Sequence, residues 1–447
     1  IRAGHLDLDD NQTFFGRYQR RSMGLQFQTN WEQNGNKTFL DISGGIARSE
    51  FNRMRFQGIE GNQGPYRLLG KNGEQFITII SGSEQVYIDG VLMKRGENLD
   101  YIINYNTGEI TFTSFRPIYK QNFITITYNY TNRNYTRFLV TGNLQHQRER
   151  LKVGLSWFME NDNKNAPLAL NLSDEDKQYL INAGNNGDMM YAPSGVKTEY
   201  DVNKILYKKI FDGSAYHYEF STNKDDELYQ VSFTFFGTAK GDYRIQQTTN
   251  NGRVFEFVGQ GLGDYQAVRR LPAPEKTQVF STNAEYALEN GVIGVDASIS
   301  NNDLNLFSSK DNNENIGYAA RVYANKSFTK NNWKGTPMFE YQYIQKNFKV
   351  LDRINNVDFW RDFNLTEEFS HITQNRFVFG FDNLWNNATF LNYKFNYLDE
   401  KATYKGIKND LGFGWKNDKW ITQASASYLD TKSTLVNSQF IRANASA

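Results

Sequence analysis

Apolar and polar residues alternate along much of this chain with a period of two, the spacing that sends successive side chains to opposite faces of a strand. Phe377, Phe379 and Phe381 point one way, Val378, Gly380 and Asp382 the other. Leu391, Tyr393, Phe395 and Tyr397 then oppose Asn392, Lys394 and Asn396. Asn386-Asn387 supplies the turn between them, so the stretch predicts a hairpin with one apolar and one polar face. Met23, Leu25, Phe27 and Trp31 repeat the design, followed across Asn34-Gly35 by Leu40, Ile42 and Ile46. So do Leu151, Val153, Leu155 and Trp157, opposed by Lys152, Ser156 and Glu160. Residues 216–220 and Tyr229, Val231, Phe233 and Phe235 show it, as do 293–299, 318–322, 339–343, 411–415 and 420–428.

About fifteen such segments of about 9–12 residues emerge, the length at which a tilted strand crosses a bilayer's hydrocarbon; strands of ordinary sheets average about 5–6 residues. Short and long connections alternate. Tight turns are expected at 34–35, 147–150, 224–226, 290–291, 330–332, 386–387 and 417–418. Long excursions are expected at 51–130, 161–212, 238–276, 301–314 and 347–370, with shorter ones near 399–405 and 430–436. Outer-membrane barrels sort their loops this way, short on the periplasmic side and long outside.

The mean hydropathy, −0.66, is that of a hydrophilic chain. Aromatics nevertheless make up 15% of it, with 27 Tyr and 34 Phe. A disordered chain lacks such aromatics, and helical spans need apolar runs of about 20 residues, which the sequence does not contain. A barrel reconciles the two figures, because only every second strand residue meets lipid. The expected fold class is therefore all-β: a transmembrane antiparallel β-barrel of at least about 14 strands, part of a larger barrel, with an inserted small β-domain and a short helical insertion. Residues 1–50 read as a first barrel hairpin, 51–130 as a β-sandwich-like domain and 131–160 as a second hairpin. Residues 161–212 read as a loop with a short helix, and 213–447 as barrel strands with long loops. The lipid-facing set is Leu155, Trp157, Tyr229, Phe233, Phe235, Phe377, Phe379, Phe381, Leu391, Tyr393 and Phe395. The chain ends at Asn444-Ala445-Ser446-Ala447, still on a strand-like pattern, and is expected to stop before the barrel closes.

Within 51–130, short strands are expected at 75–80, 85–88, 101–105, 109–113 and 122–130, with hairpin turns at Asp89-Gly90 and 106–108. In 161–212, Ser173-x-x-Asp176 reads as a capping box opening a helix to about Ile181, with Gly184 as its stop.

The stretches 60–68, 82–90 and 105–110, with Arg95-Gly96, Asp100-Tyr101 and Phe112, and later Gly261-Leu262-Gly263-Asp264-Tyr265 and Arg270-Leu271-Pro272-Ala273-Pro274, resemble large outer-membrane β-barrel proteins of Bacteroidetes-type bacteria. A looser similarity runs to the very large barrel of the type 9 secretion translocon. The resemblance implies an outer-membrane location and a barrel with β-rich insertions, but no settled biochemical activity.

Charge is balanced, with 50 basic and 49 acidic residues and a net +1, which gives no footprint for nucleic acid. Cysteine is absent, so thiolate metal sites and Cys nucleophiles are excluded. His5, His146, His217 and His371 are scattered and form no ligand set. The glycines 259, 261 and 263 lack a βαβ context and read as a tight loop rather than a phosphate cradle. The polar runs 161–165 and 311–315 lack the full spacing of a calcium loop. No catalytic, metal or cofactor residues are expected, and the chain does not read as an enzyme. Glu84, Tyr87, Asp89, Arg95, Asp100 and Tyr101 form a candidate partner surface.

Expected partners are the outer-membrane bilayer with its lipopolysaccharide, and other outer-membrane proteins or lipoproteins. Two functions fit: a membrane-embedded scaffold or conduit in an assembly, secretion or transport complex, or a barrel-anchored cell-surface protein binding glycan or another ligand.

Overall fold

Fourteen long strands hydrogen-bond in sequence order into one antiparallel sheet. They are β1 (Arg2–Asp10), β2 (Tyr18–Gln33), β3 (Asn36–Ala47), β4 (Tyr135–Arg148), β5 (Leu151–Pro167), β6 (Lys276–Leu288) and β7 (Gly291–Asp303). The second half comprises β8 (Ile316–Lys326), β9 (Trp333–Ile344), β10 (Gln374–Trp385), β11 (Thr389–Asp399), β12 (Tyr404–Lys416), β13 (Ile421–Ser433) and β14 (Ser438–Ser446). A short strand, Phe328–Lys330, also pairs with β9. The computed structural model describes residues 1–447 except 48, 72, 76, 132–133, 169–170, 214, 366–371 and 402. Among the described residues, β1 and β14 each pair on one side only.

Antiparallel order sorts the connections by sheet end. Six tight links, at 34–35, 149–150, 289–290, 327–332, 386–388 and 417–420, lie at one end. At the other, β1 leads into β2, β3 out toward β4, β5 toward β6, β7 toward β8, β9 toward β10, β11 toward β12 and β13 into β14. Asn34, Asn331, Asn386 and Asn387 carry the positive φ these turns demand, at 52°, 52°, 50° and 53°.

The two faces differ in chemistry. Register places Phe27, Ile42, Gly142, Trp157, Phe280, Ile299 and Tyr318 in one continuous row across β2 to β8. Farther along, Ala324, Phe339, Phe379 and Phe395 align across β8 to β11. Phe381, Tyr393, Leu411, Ala426 and Ala443 do so across β10 to β14. The large side chains of this face are unusually open, Phe379 at 49% exposure and Trp157 at 40%. We call it the open face. Opposite it run Asp41, Asn143, Ser156, Ser281, Ser298, Ala319, Ile344 and Gln374, also one row.

That second face is covered by connections from its own unit. Phe15, 1% exposed, packs edge-on against Phe348, and the Phe14 N–H donates to Asp296 Oδ1 at 3.2 Å. Asp352 accepts from the Gln19 N–H at 2.7 Å and from Arg20 Nη1 at 2.8 Å. Phe359, Trp360 and Phe363 form an apolar cluster with Leu398, Tyr404 and Leu429. Residues of β2 thus meet a connection that leaves β9, seven places along the sheet, so this packed face is concave.

Between β3 and β4 lies a small β-domain. Glu50–Gln57, Phe123–Tyr130, Gln85–Ile88 and Val91–Leu92 form one sheet, and Tyr66–Arg67, Glu109–Phe112 and Tyr101–Asn104 another. Val86, Ile88, Ile110, Ile124, Ile126 and Tyr128 are fully buried in its core. Among the described residues of 75–80, the expected strand is reduced to one bridge, Ile79 to Tyr130. Strand Glu50–Gln57, which was not expected, instead pairs with Phe123–Tyr130 over its whole length.

Residues Leu170–Pro274 and Leu304–Asp311 form a second unit. The Ser173 hydroxyl accepts the Asp176 N–H and the Asp176 carboxylate accepts the Ser173 N–H, both at 3.1 Å, which opens helix α1 (Asp174–Ala183) as expected. Gly184 ends it at φ 63°. Three sequence expectations fail here. Residues 216–220 and 229–235 are not strands of the long sheet. Tyr216–Phe220 and Leu228–Gln230 both flank Tyr207–Phe211, and Thr234–Phe235 pairs with Tyr265–Gln266. The domain boundary at 213 is accordingly displaced: long-sheet strands resume only at Lys276. The polar run 161–165 is no loop but the end of β5, where Asp162 is drawn inward by Arg137.

Candidate functional site

Eight of the eleven side chains expected on an apolar surface lie on the open face: Leu155, Trp157, Phe377, Phe379, Phe381, Leu391, Tyr393 and Phe395. Their row-mates are apolar or aromatic on most strands, so the exposed surface is contiguous rather than a scatter of single residues. Tyr229, Phe233 and Phe235 are elsewhere. Phe233 sits in an aromatic cluster of the second unit, stacked on Phe255 at 4.4 Å and edge-on to Tyr243 at 4.8 Å.

The six residues proposed as a partner surface are mostly structural. Glu84, 9% exposed, accepts hydrogen bonds from Arg95 and Tyr105 at 3.0 Å each and from Tyr101 at 3.4 Å. Tyr101 is itself buried at 3%. Asp100 caps the Lys94 N–H at 2.8 Å. Asp89 holds its hairpin by accepting from Asn122 and the Phe123 N–H, at 2.7 and 3.0 Å. Among the described residues, Tyr87 and Asp89 also reach outside the β-domain, toward Arg353 and Arg361 of the β9–β10 connection.

A cavity of about 590 Å³, for which no sequence motif prepares, lies in the first unit. Strand Glu50–Gln57 lines it with Arg53 and Arg55, whose i, i+2 spacing puts both on one side of that strand. The β9–β10 connection adds Lys346, Lys349, Asp352 and Arg353. The long-sheet ends contribute Arg20, Arg137 and Glu160, and Lys71 and Glu275 complete the charged lining with Glu50. The carboxylates are engaged. Glu160 and Asp352 pair with Arg20 at 3.0 and 2.8 Å, and Glu275 pairs with Lys71 at 2.6 Å. Glu50 lies 3.7 Å from Lys71 and 3.5 Å from Arg137, which also grips Asp162 at 2.7 Å. Arg55, Lys346, Lys349 and Arg353 make no ion pair among the described residues.

This imbalance shows in the titration of Lys349. The Lys71 ammonium, and then burial, push it down to about 8. Burial, then Arg55 and Arg353, bring Arg53 down to about 10. A lysine whose folded pKa lies below its unfolded one destabilises the fold wherever it is charged; that penalty is complete below about 8 and fades as pH rises toward 10.5. Lys349→Met should therefore raise stability at pH 7, by up to about 3 kcal/mol, with the gain shrinking toward pH 10. Denaturant midpoints of both proteins across that range check the sign.

The three described histidines do not converge. His146 bonds Thr38 at 2.9 Å, His217 stacks on Phe257 at 4.4 Å, His5 stands on β1, and His371 lies outside the described residues. Among the described residues no three His, Asp or Glu side chains gather as metal ligands.

Residues 51–132 match a family model described as a domain of unknown function, DUF8818. Those bounds coincide with the inserted β-domain, from strand Glu50–Gln57 to the end of Phe123–Tyr130. No curated protein matches the chain.

Proposed function

We propose that this chain is part of an outer-membrane β-barrel serving as a membrane-embedded scaffold in an assembly, secretion or transport complex. The observation that carries the reading is the open face, an apolar and aromatic surface that runs from β2 to β14, strands of 9 to 17 residues. Soluble proteins rarely expose apolar patches beyond a few hundred Å², and strands of this length suffice to cross hydrocarbon. A polar, ion-paired opposite face is what a barrel interior holds. The resemblance of 60–112 to large Bacteroidetes-type barrels points the same way. A scaffold is favoured over an open conduit because the connections 11–17 and 345–365 occupy the packed face. On this reading the long connections, the β-domain included, face the cell exterior.

The test is fractionation. The full chain, expressed behind an added export signal, should stay in the membrane pellet through alkaline carbonate and urea washes of the kind that strip peripheral proteins, and leave it only with detergent. A monodisperse product in detergent-free buffer would end the proposal. Stoichiometric outer-membrane subunits co-purifying in detergent would support the scaffold role over that of a solitary surface receptor.

A further inference from the structure

We propose that the basic cavity between strand Glu50–Gln57 and the β9–β10 connection is a binding site for a multiply phosphorylated group of sugar size. Three observations converge on it. The lining carries eight basic side chains against four carboxylates, and those carboxylates are already held by Arg20, Lys71 and Arg137. Arg55, Lys349 and Arg353, with Lys346 at the rim, are left without a carboxylate among the described residues. Their alternative partners are weak: Arg55 lies over the Trp360 ring at 4.8 Å and Arg353 over Tyr87 at 5.0 Å. Nη1 of Arg353 is shielded from solvent yet has no hydrogen-bond acceptor among the described residues.

Concentrating like charges in a partly enclosed space is costly unless a counter-charge is supplied. Lys349 reports that cost, since the neighbouring ammonium of Lys71 is what chiefly depresses it. Guanidinium groups bind phosphate oxygens in bidentate fashion, and a lysine adds a point charge, so arginines with one or two lysines suit phosphate. Volume sets the scale of the ligand. About 590 Å³ falls in the range of small-molecule sites and far exceeds a single phosphate ion. Walls formed by Phe51, Phe348, Ile354 and Trp360 give a carbon skeleton something to pack on.

The same phosphate chemistry is available from a soluble phosphorylated sugar and from a phosphorylated glycolipid headgroup. The site itself rests on the cavity and not on the membrane reading, so the experiment separates them. Purified full chain in detergent is titrated calorimetrically with inositol hexakisphosphate, and separately with detergent-dispersed diphosphorylated lipid A and its dephosphorylated form. The expected result is saturable binding of at least one phosphorylated probe, weakened by added salt, with Arg55→Gln/Lys349→Met lowering affinity tenfold or more. Binding of lipid A alone would assign the headgroup source; binding of the hexakisphosphate as well would show that free phosphates suffice. The Arg353→Gln variant, which leaves every ion pair of the lining in place, guards against a fold effect in the double variant and should lose affinity too. No saturable binding of either phosphorylated probe, or binding unchanged in both variants, overturns the site, whether or not the chain proves to be membrane-embedded.

Discussion

Arg137→Met should cost about 3–5 kcal/mol, the loss typical when one partner of a buried ion pair is removed. The Arg137 side chain is 11% exposed, and it lies between Asp162 and Glu50, at 4% and 8%. Its Nε and Nη2 make a two-pronged contact with the Asp162 carboxylate, at 2.7 and 2.9 Å. Glu50 keeps Lys71 when Arg137 is gone, at 3.7 Å, whereas among the described residues Asp162 retains only the Glu275 N–H, at 3.0 Å, as a side-chain partner. The penalty should therefore be concentrated on Asp162. Adding Asp162→Asn to Arg137→Met removes the stranded charge and should recover about 2 kcal/mol or more. Urea unfolding of the four proteins of that cycle, followed by the mobility shift of folded against boiled protein on a gel, measures it. Additive effects of the two substitutions would mean that the pair does not hold β4 to β5 as described.

The second large effect has a sign that depends on what surrounds the open face. Phe379 lies mid-strand on β10, beside Phe339 and Phe395. Against lipid, Phe379→Arg should destabilise by about 2–4 kcal/mol, the range found for arginine at a bilayer midplane. Against water, arginine at a site 49% exposed would be close to neutral and would improve solubility. Refolding into vesicles, with Phe379→Leu as a control expected to lose less than about 1.5 kcal/mol, decides between them. A neutral Phe379→Arg would remove the bilayer from the argument.

Long strands were legible because alternation is sustained through them. Met23 to Trp31 and Phe377 to Phe381 each define a face with no help from tertiary structure. Strand β1 escaped notice for a physical reason. Its apolar Leu6 and Leu8 are 6% and 3% exposed on the packed face, while Ala3, His5, Asp7 and Asp9 occupy the other, so its pattern is inverted relative to its neighbours. Residues 216–220 and 229–235 misled because a five-residue strand in a small sheet alternates just as a long one does. Only strand length separates the cases, and Tyr216–Phe220 has 5 residues against 11 to 13 in β8 to β13. Helix α1 was readable from one local device, the reciprocal Ser173–Asp176 cap. The basic cavity had no local signature. Arg53-x-Arg55 looks like any charged strand, and Lys349 and Arg353, which meet it in space, come nearly three hundred residues later.

The filling of the packed face also dictates a timetable for folding. Hairpins such as β2–β3, β4–β5 and β6–β7 close over two-residue turns and can form as soon as their own residues are available. The Phe14 N–H finds its acceptor 282 positions downstream, and Arg20 finds Asp352 at a separation of 332. Contacts of that range form slowly because the intervening chain must first be ordered. The early connection at 11–17 therefore waits, solvated, until β7, β8 and the Phe348 region beyond β9 are laid down, and zipping of the ribbons precedes consolidation of the interior.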